Sequence, residues 1–264
     1  MKTEKIKVHF SHRDVLHPTN PIPVNLIGAG GTGSQMLTAL ARMNHSLNAL
    51  GHAGLLVTLW DDDTVSPANL GRQLFAECEV GLYKSVALIN RCNRFFGTDW
   101  KATHCKFGYK PSSLPTQSTI YISCVDTAAA RFEIAETLKG LQTERHYRNV
   151  PRYWMDFGNS RTTGQVILAT LGKVQQPVSE EFVTIDTLPF ITDEFGELLR
   201  HSESEDNTPS CSLAEALDKQ DLFINSTLAQ MGSSLLWNLF RHGMTAYRGF
   251  FLNLENFRTT PIGV

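Results

Sequence analysis

Long apolar runs are missing from this sequence. No stretch approaches the roughly 18 consecutive apolar residues of a membrane-spanning helix, so no span is expected. Cysteine is sparse and odd in number: Cys78, Cys92, Cys105, Cys124 and Cys211 stand apart, which argues against a disulfide framework. None of them forms a C-x-x-C, so no four-cysteine zinc site is expected. Basic blocks are lacking as well, and with a net charge of −2 neither nucleic acid nor an anionic membrane is expected as the main partner. Met1-Lys2-Thr3-Glu4-Lys5 leads into polar sequence rather than an apolar signal core, so a cytoplasmic protein is expected. No internal repeat or low-complexity segment interrupts the chain. What is present is globular in composition: 264 residues, 42% hydrophobic and 19% charged, suit one large α/β domain or a domain with an appendage.

The organising stretch runs from Val24 to Gln73. A short apolar run (Val24, Leu26, Ile27) ends in Gly28-Ala29-Gly30-Gly31-Thr32-Gly33, and a second, Leu55 to Trp60, ends in Asp61-Asp62-Asp63. This reads as strand, glycine turn, helix, strand and terminal carboxylate. Glycines at 28, 30, 31 and 33 allow a sharp turn and close approach to a phosphate, and the helix after them offers free N–H groups. An acid at the tip of the next strand can accept from ribose hydroxyls. Asp61 lies 28 residues beyond Gly33, further than the roughly 20 of dinucleotide folds, so the first helix or the loop after it is long.

Further along, helical spacing covers Gly31 to about Leu47 and Lys84 to Phe96, the latter stopped by Gly97. A buried strand, Thr119 to Val125, precedes a helix that Thr127 can cap; Tyr153 to Phe157 and Gln165 to Ala169 read as strands joined by Gly158-Asn159-Ser160. Alternation of strands and helices implies an α/β fold with a mostly parallel, Rossmann-like sheet. The expected organisation within one domain, 1–264, is an N-terminal arm (1–23), a nucleotide-binding core (24–170), a crossing loop (171–212) with a short helix over Asp193 to His201, and a C-terminal segment (213–264). That segment holds helices over Leu213 to Leu217 and Phe223 to Phe240 and a last strand near Gly249 to Leu254. His9, His12 and His17 sit in an irregular segment with no facing geometry, which argues against a metal site.

Each chemistry-bearing residue has a plainer alternative. Asp61 and Asp63 are ribose-facing acids or solvated loop acids. Arg72, with Asn69 before it and Gln73 after it, either neutralises phosphate charge or makes a surface ion pair. Lys84 opens a helix, where a cation is disfavoured unless a phosphate faces it, and is otherwise a surface lysine. Asp126 ends a strand at the sheet's C-terminal edge and either holds Mg2+ against phosphates or complements a helix dipole. Cys124, within a strand, reads as core.

In order, Gly28 to Gly33, Trp60 to Gln73, Gly81-Leu82-Tyr83-Lys84 and Ser123 to Arg131 resemble the ThiF/MoeB/HesA family, the bacterial relatives of ubiquitin-activating enzymes. Pro209 to Leu217 with Gln220 to Asn225 is similar to the ThiF-like protein of the plasmid-associated PRTRC system. The resemblance implies ATP-dependent adenylation of the C-terminal carboxylate of a small ubiquitin-like or sulfur-carrier-like protein. It implies Asp61 on ribose; Asn69, Arg72 and Lys84 on the phosphates with Gln73 beside them; Asp126 on Mg2+; and Arg131 in support. The family's arginine can come from a partner subunit, which implies a homodimer. Cys211, in Pro209-Ser210-Cys211-Ser212, is similar to the context of thioester-forming cysteines; a thiolate at a helix start is activated, while the alternative is a small buried hydrophobe. Two other readings remain: a nucleotide-binding scaffold without turnover, and an NAD-dependent oxidoreductase, which leaves Asn69 to Gln73 and Lys84 without a role.

Overall fold

The computed structural model describes residues 5–108, 117–141, 150–202 and 219–264. In chain order the elements are β1 (Lys7–Phe10), α1 (Arg13–Leu16), β2 (Ile22–Ile27), α2 (Gly31–Ala49), β3 (Leu55–Trp60), α3 (Lys84–Phe96), β4 (Lys101–Thr103) and β5 (Ile120–Ser123). There follow α4 (Ala128–Leu141), β6 (Tyr153–Asn159), β7 (Thr163–Thr170), β8 (Val183–Thr184), α5 (Ile191–Glu194) and α6 (Gly196–Ser202). After these come α7 (Ile224–Arg241), β9 (Met244–Thr245), β10 (Tyr247–Asn253) and β11 (Arg258–Gly263).

The main sheet has the order β11-β10-β7-β6-β5-β2-β3-β4. Strands β4, β3, β2, β5 and β6 pair in parallel. β7, β10 and β11 extend the sheet antiparallel. Both faces are apolar. Along β5, Ile120 and Ile122 join one core with α2, α3 and α7, while Tyr121 points to a second core with α4, α5 and α6. Alternating side chains that are apolar on both faces are what a sheet between two helical layers requires. The chain runs outward from β2 to β3 and β4, then crosses back to β5. A crevice therefore opens beyond the carboxyl ends of β2 and β5, the place where such sheets bind ligands.

Local signals are well obeyed. Gly97 adopts φ 69° and accepts the left-handed conformation that stops α3, and the Thr127 hydroxyl accepts from the Ala130 N–H at 3.2 Å. The long spacing before Asp61 divides between α2, which runs to Ala49, and the turn over Leu50 to Gly54. Of the two forms open to the N-terminal arm, a short strand or an extended segment, it takes the strand: β1 pairs with β8 and β9 in a separate small sheet. Elsewhere the structure corrects the reading. The short helix expected over Asp193 to His201 is two helices, α5 and α6, and the last strand is a hairpin, β10 and β11. Strand β4 is too short to carry a period of its own. The expected helix over Leu213 to Leu217 and Cys211 lie outside the described residues.

His9, fully buried in β1, makes no metal cluster. Its Nδ1–H donates to the Ile185 carbonyl at 2.7 Å, so Nε2 is left to accept from the Tyr153 hydroxyl at 3.0 Å. The hydroxyl in turn accepts from the His12 N–H. Burial lowers the His9 pKa from its ordinary value, against smaller raising effects of the Ile185 carbonyl and Asp186. Below the ordinary value the unfolded chain binds a proton that the folded chain resists, so stability falls as pH drops. His12, also lowered by burial, adds to the same slope. His9→Gln is expected to flatten the loss of urea stability between about pH 7.5 and about pH 5.5, by at most about 1.4 kcal/mol per pH unit. Equal slopes in the two proteins would refute this.

Candidate functional site

A cavity of about 1240 Å³ occupies the crevice. The loops after β2, β3 and β5 form one end, and the β6–β7 turn and the β10–β11 hairpin form the other. Its size exceeds the roughly 300–1,000 Å³ of a typical small-molecule site. Lys106, Arg161, Lys219 and Arg258 join Arg72 and Lys84 on its walls, so cations outnumber carboxylates there in a chain whose net charge is −2. Trp60 and Phe107, edge to face at 5.5 Å between centroids, close the apolar part of the first end.

The four glycines of the turn do different work. Gly28 holds φ 94°, and a Cβ there would stand 2.6 Å from the Cys124 carbonyl oxygen. This close approach locks the β2 loop onto the β5 loop. A Cβ on Gly33 would meet the Gly28 carbonyl oxygen at 1.9 Å, and Gly33 does not line the cavity. Its smallness serves helix-to-strand packing rather than ligand contact, a correction to the expectation. Gly30 alone of the four has open space where a Cβ would be, with its backbone on the cavity wall at the start of α2. That is the position suited to an anion. At Gly31 a Cβ would lie 2.5 Å from the Asn225 amide nitrogen, and Asn225 is itself held by Thr32 and Gln220. Gly31→Ala is expected to cost about 1–3 kcal/mol in urea unfolding, since the amide must give up its bonds to make room. Gly30→Ala should cost less, and the reverse order would contradict this account.

Asp61 is half-buried and ties the loops together. Its Oδ2 accepts from the Ala29 N–H at 2.6 Å and its Oδ1 from the Asp63 N–H at 3.0 Å. Each carboxylate oxygen has a second lone pair, so both can still accept from a ligand hydroxyl. Burial raises the Asp61 pKa above the ordinary carboxylate value, with the Ala29 N–H and Lys84 opposing. Lys84 is 7% exposed, and its Nζ donates to Asp63 Oδ2 at 2.8 Å. The pair sits at the start of α3, so the buried cation is balanced by a carboxylate rather than left to oppose the helix dipole. Asp126 is exposed on the cavity wall.

Arg72 lines the cavity of its own chain, where the charge of Asp126 partly offsets the effect of burial in lowering its pKa. Gln73 is buried beside it and also lines the cavity. Asn69 does not. Its side-chain carbonyl accepts from the Ser66 N–H at 2.8 Å and the Ser66 hydroxyl at 3.1 Å, closing the turn that carries Arg72. In this conformation Asn69 shapes the loop from behind, contrary to the expected phosphate contact. Arg131 reaches the cavity wall but is committed to its supports: it pairs with Asp156 at 3.1 Å and donates to the Val125 and Phe157 carbonyls.

Cys124 packs against the main core, as expected, and also reaches the cavity. It lies just past the end of β5, half-buried on the cavity wall, and burial pushes its thiol well up, so the thiolate is disfavoured. Sequence reasoning missed Thr32, Gln220 and Asn225 as site residues. Thr32 lies in the glycine turn and Gln220 and Asn225 in the stretch from Gln220 to Asn225 that carries a resemblance, but nothing local gives them a role in the site.

One exposed carboxylate at a sheet edge agrees with how Mg2+ is held, by one or two carboxylates plus substrate phosphates. Among the described residues no cluster of three or more His, Cys, Asp or Glu side chains could hold a metal by itself. Nor is any described helix long and apolar enough to cross a membrane.

Comparison with known proteins agrees with this architecture. The crystal structure of PaaA is similar to this chain with a TM-score of 0.58 at 16% identity, over 92% of this chain and 64% of PaaA. Escherichia coli MccB is similar with a TM-score of 0.56 at 15% identity, over 95% of this chain and 64% of MccB. MccB solved with MccA gives a TM-score of 0.56 at 13% identity, over 96% of this chain and 66% of MccB. The chain thus spans somewhat under two thirds of the length of PaaA and MccB, and at these identities the likeness is one of fold. No curated protein matches the sequence. The sequence profile of the ThiF family matches residues 9–261, nearly the whole chain. The chain belongs to the ThiF family.

Proposed function

We propose that this protein is an ATP-dependent adenylating enzyme acting on the C-terminal carboxylate of a small ubiquitin-like or sulfur-carrier-like protein. The observation that carries the reading is one cavity with two ends. The open backbone at Gly30, the Lys84 and Arg72 cations and the exposed Asp126 carboxylate gather at the nucleotide-suited end. The other end, between the β6–β7 turn and the β10–β11 hairpin, has room for a second reactant. Family membership supports the reading, as do MccB structures solved with ATP and with MccA.

In this reading the α2 start and Gly30 receive phosphate oxygens, Asp61 holds ribose and Trp60 and Phe107 flank the base. The carboxylate of the partner's last residue attacks the α-phosphorus. A new acyl–phosphate bond forms as the bond to the β,γ-diphosphate breaks, and pyrophosphate leaves with the electron pair. Lys84, released from Asp63, and Arg72 offset the charge on the transferred group. Asp126 would hold Mg2+, which supplies further charge neutralisation. Catalysis here is positioning and electrostatics, with no protein nucleophile in the first step. Transfer to Cys211 as a thioester, a homodimeric assembly and a plasmid-associated setting belong to the same proposal.

The test is ATP–pyrophosphate exchange with Mg2+ and candidate small carriers. Exchange that depends on the carrier is expected. ATP binding with no exchange for any carrier would favour a nucleotide-binding scaffold, and NADH binding in place of ATP would overturn the proposal.

A further inference from the structure

Arg72 is tied to a part of the chain far from it in sequence. Its Nη1–H donates to the side-chain oxygen of Gln220, and the same oxygen accepts from Asn225 Nδ2 at 2.9 Å. Asn225 Oδ1 then accepts from the Thr32 hydroxyl at 2.9 Å. Thr32 stands in the first turn of α2, one residue beyond the glycine pair at 30 and 31. The loop carrying Arg72 and the turn bearing Gly30 are thus joined through Gln220, which precedes α7, and Asn225 in its first turn.

The direction of every bond in this chain follows from its first member. A guanidinium only donates, so Gln220 must present its oxygen to Arg72. Both lone pairs of that oxygen are then filled, by Arg72 and by the Asn225 amide. With its amide nitrogen committed, Asn225 turns its oxygen to Thr32, whose hydroxyl can donate. No amide can flip without breaking at least two bonds. The centre of the chain is protected from water: Asn225 is 3% exposed. The bare α-carbon of Gly31 makes room for it, since any side chain there would collide with the Asn225 amide.

The anchoring uses one edge of the guanidinium only. Arg72 Nε is buried and has no hydrogen-bond partner among the described residues. An orphaned buried donor is costly unless something accepts from it, and the Nε–Nη2 edge of an arginine matches two oxygens of a phosphoryl group. Nη1 is held by protein while Nε stays buried without a partner among the described residues, in a residue that lines the cavity.

We propose that Gln220 and Asn225 are positioning residues that fasten Arg72 to the first turn of α2, so that the guanidinium and the Gly30 backbone present to the nucleotide phosphates as one rigid unit. The inference rests on the nucleotide reading for its consequence, but the anchoring itself is independent of any reaction. The geometry also gives Gln220 and Asn225, which the sequence motifs left without a role in the site, a place beside the glycine turn.

Two measurements test it. In ATP–pyrophosphate exchange, Gln220→Ala is expected to lower kcat by about tenfold to a hundredfold, the range for losing a hydrogen bond to a charged group. In an Arg72→Ala background the same change should have no further effect, because Gln220 acts only through Arg72. Gln220→Glu keeps the acceptor but pairs its charge with the guanidinium. Its activity should recover as pH falls and the new carboxylate is protonated, a behaviour that a purely structural residue would not produce. The second measurement is the order of the Arg72 Nε–H by NMR relaxation of the full chain, expected to fall in Gln220→Ala and in Asn225→Ala. Additive losses in the double variant, or an unchanged Arg72 Nε–H, would overturn the proposal. If the wild-type protein shows no exchange with any carrier, the adenylation reading falls, and the relaxation result alone decides the anchoring.

Discussion

Arg131→Ala is expected to destabilise the protein by about 3–5 kcal/mol, a large share of the roughly 5–15 kcal/mol that holds a typical domain together. Asp156 is 1% exposed, and the Arg131 guanidinium is the cation beside it, at 3.1 Å. Removing the arginine leaves a carboxylate in the interior of β6 with the Ser123 hydroxyl, which donates to it at 2.5 Å, as its remaining side-chain donor among the described residues. The same change frees the carbonyls of Val125 and Phe157, to which the guanidinium donates at 2.6 and 3.0 Å. The loop carrying Asp126 thereby loses its tie to β6. Urea unfolding should show a midpoint shifted far down, and a shift worth under about 1 kcal/mol would mean that the pair contributes no more than a surface bridge. Pairing Arg131→Met with Asp156→Leu should restore most of the loss, because the cost lies in leaving one charge without its partner.

The second large effect is on turnover. Asp126→Ala should leave the unfolding midpoint nearly unchanged, as the side chain is exposed and no hydrogen bond ties it to the described residues. It should nevertheless lower carrier-dependent ATP–pyrophosphate exchange by about a hundredfold to a thousandfold, the usual cost of removing a group aimed at developing charge. A variant that folds and still exchanges would remove Asp126 from the reaction. An equal loss of folding and of exchange would point to a structural role instead. Because Arg131 and Asp126 flank the same short segment, measuring both variants separates loss of the platform from loss of the chemistry.

Much of this molecule was legible in the residues alone. The β2–α2–β3 unit, the extent of α3 and its end at Gly97, and the buried strand at β5 follow from local causes: alternation of apolar residues, helical spacing, and a glycine able to take positive φ. The grouping of Asp61, Arg72, Gln73, Lys84 and Asp126 around one cavity follows from strand order, since loops after parallel strands emerge at one edge. The resemblance carried by those motifs agrees with the family match.

The tertiary structure decided the rest, for reasons that no window of sequence holds. A three-residue strand such as β4 exists only because β3 offers it an edge. Asn69 and Gly33 carry motif positions but serve the loop and the helix packing, and a motif does not record which way a side chain turns. Gly31 reads as a phosphate-binding glycine until Asn225 is seen to occupy the space beside it. The Arg131–Asp156, Arg72–Gln220 and Thr32–Asn225 bonds join residues 25, 148 and 193 positions apart. Hydrogen bonds of that reach have no period and no local propensity. They form only after the sheet and helices have brought both partners out of water and left each with one acceptor or donor to satisfy.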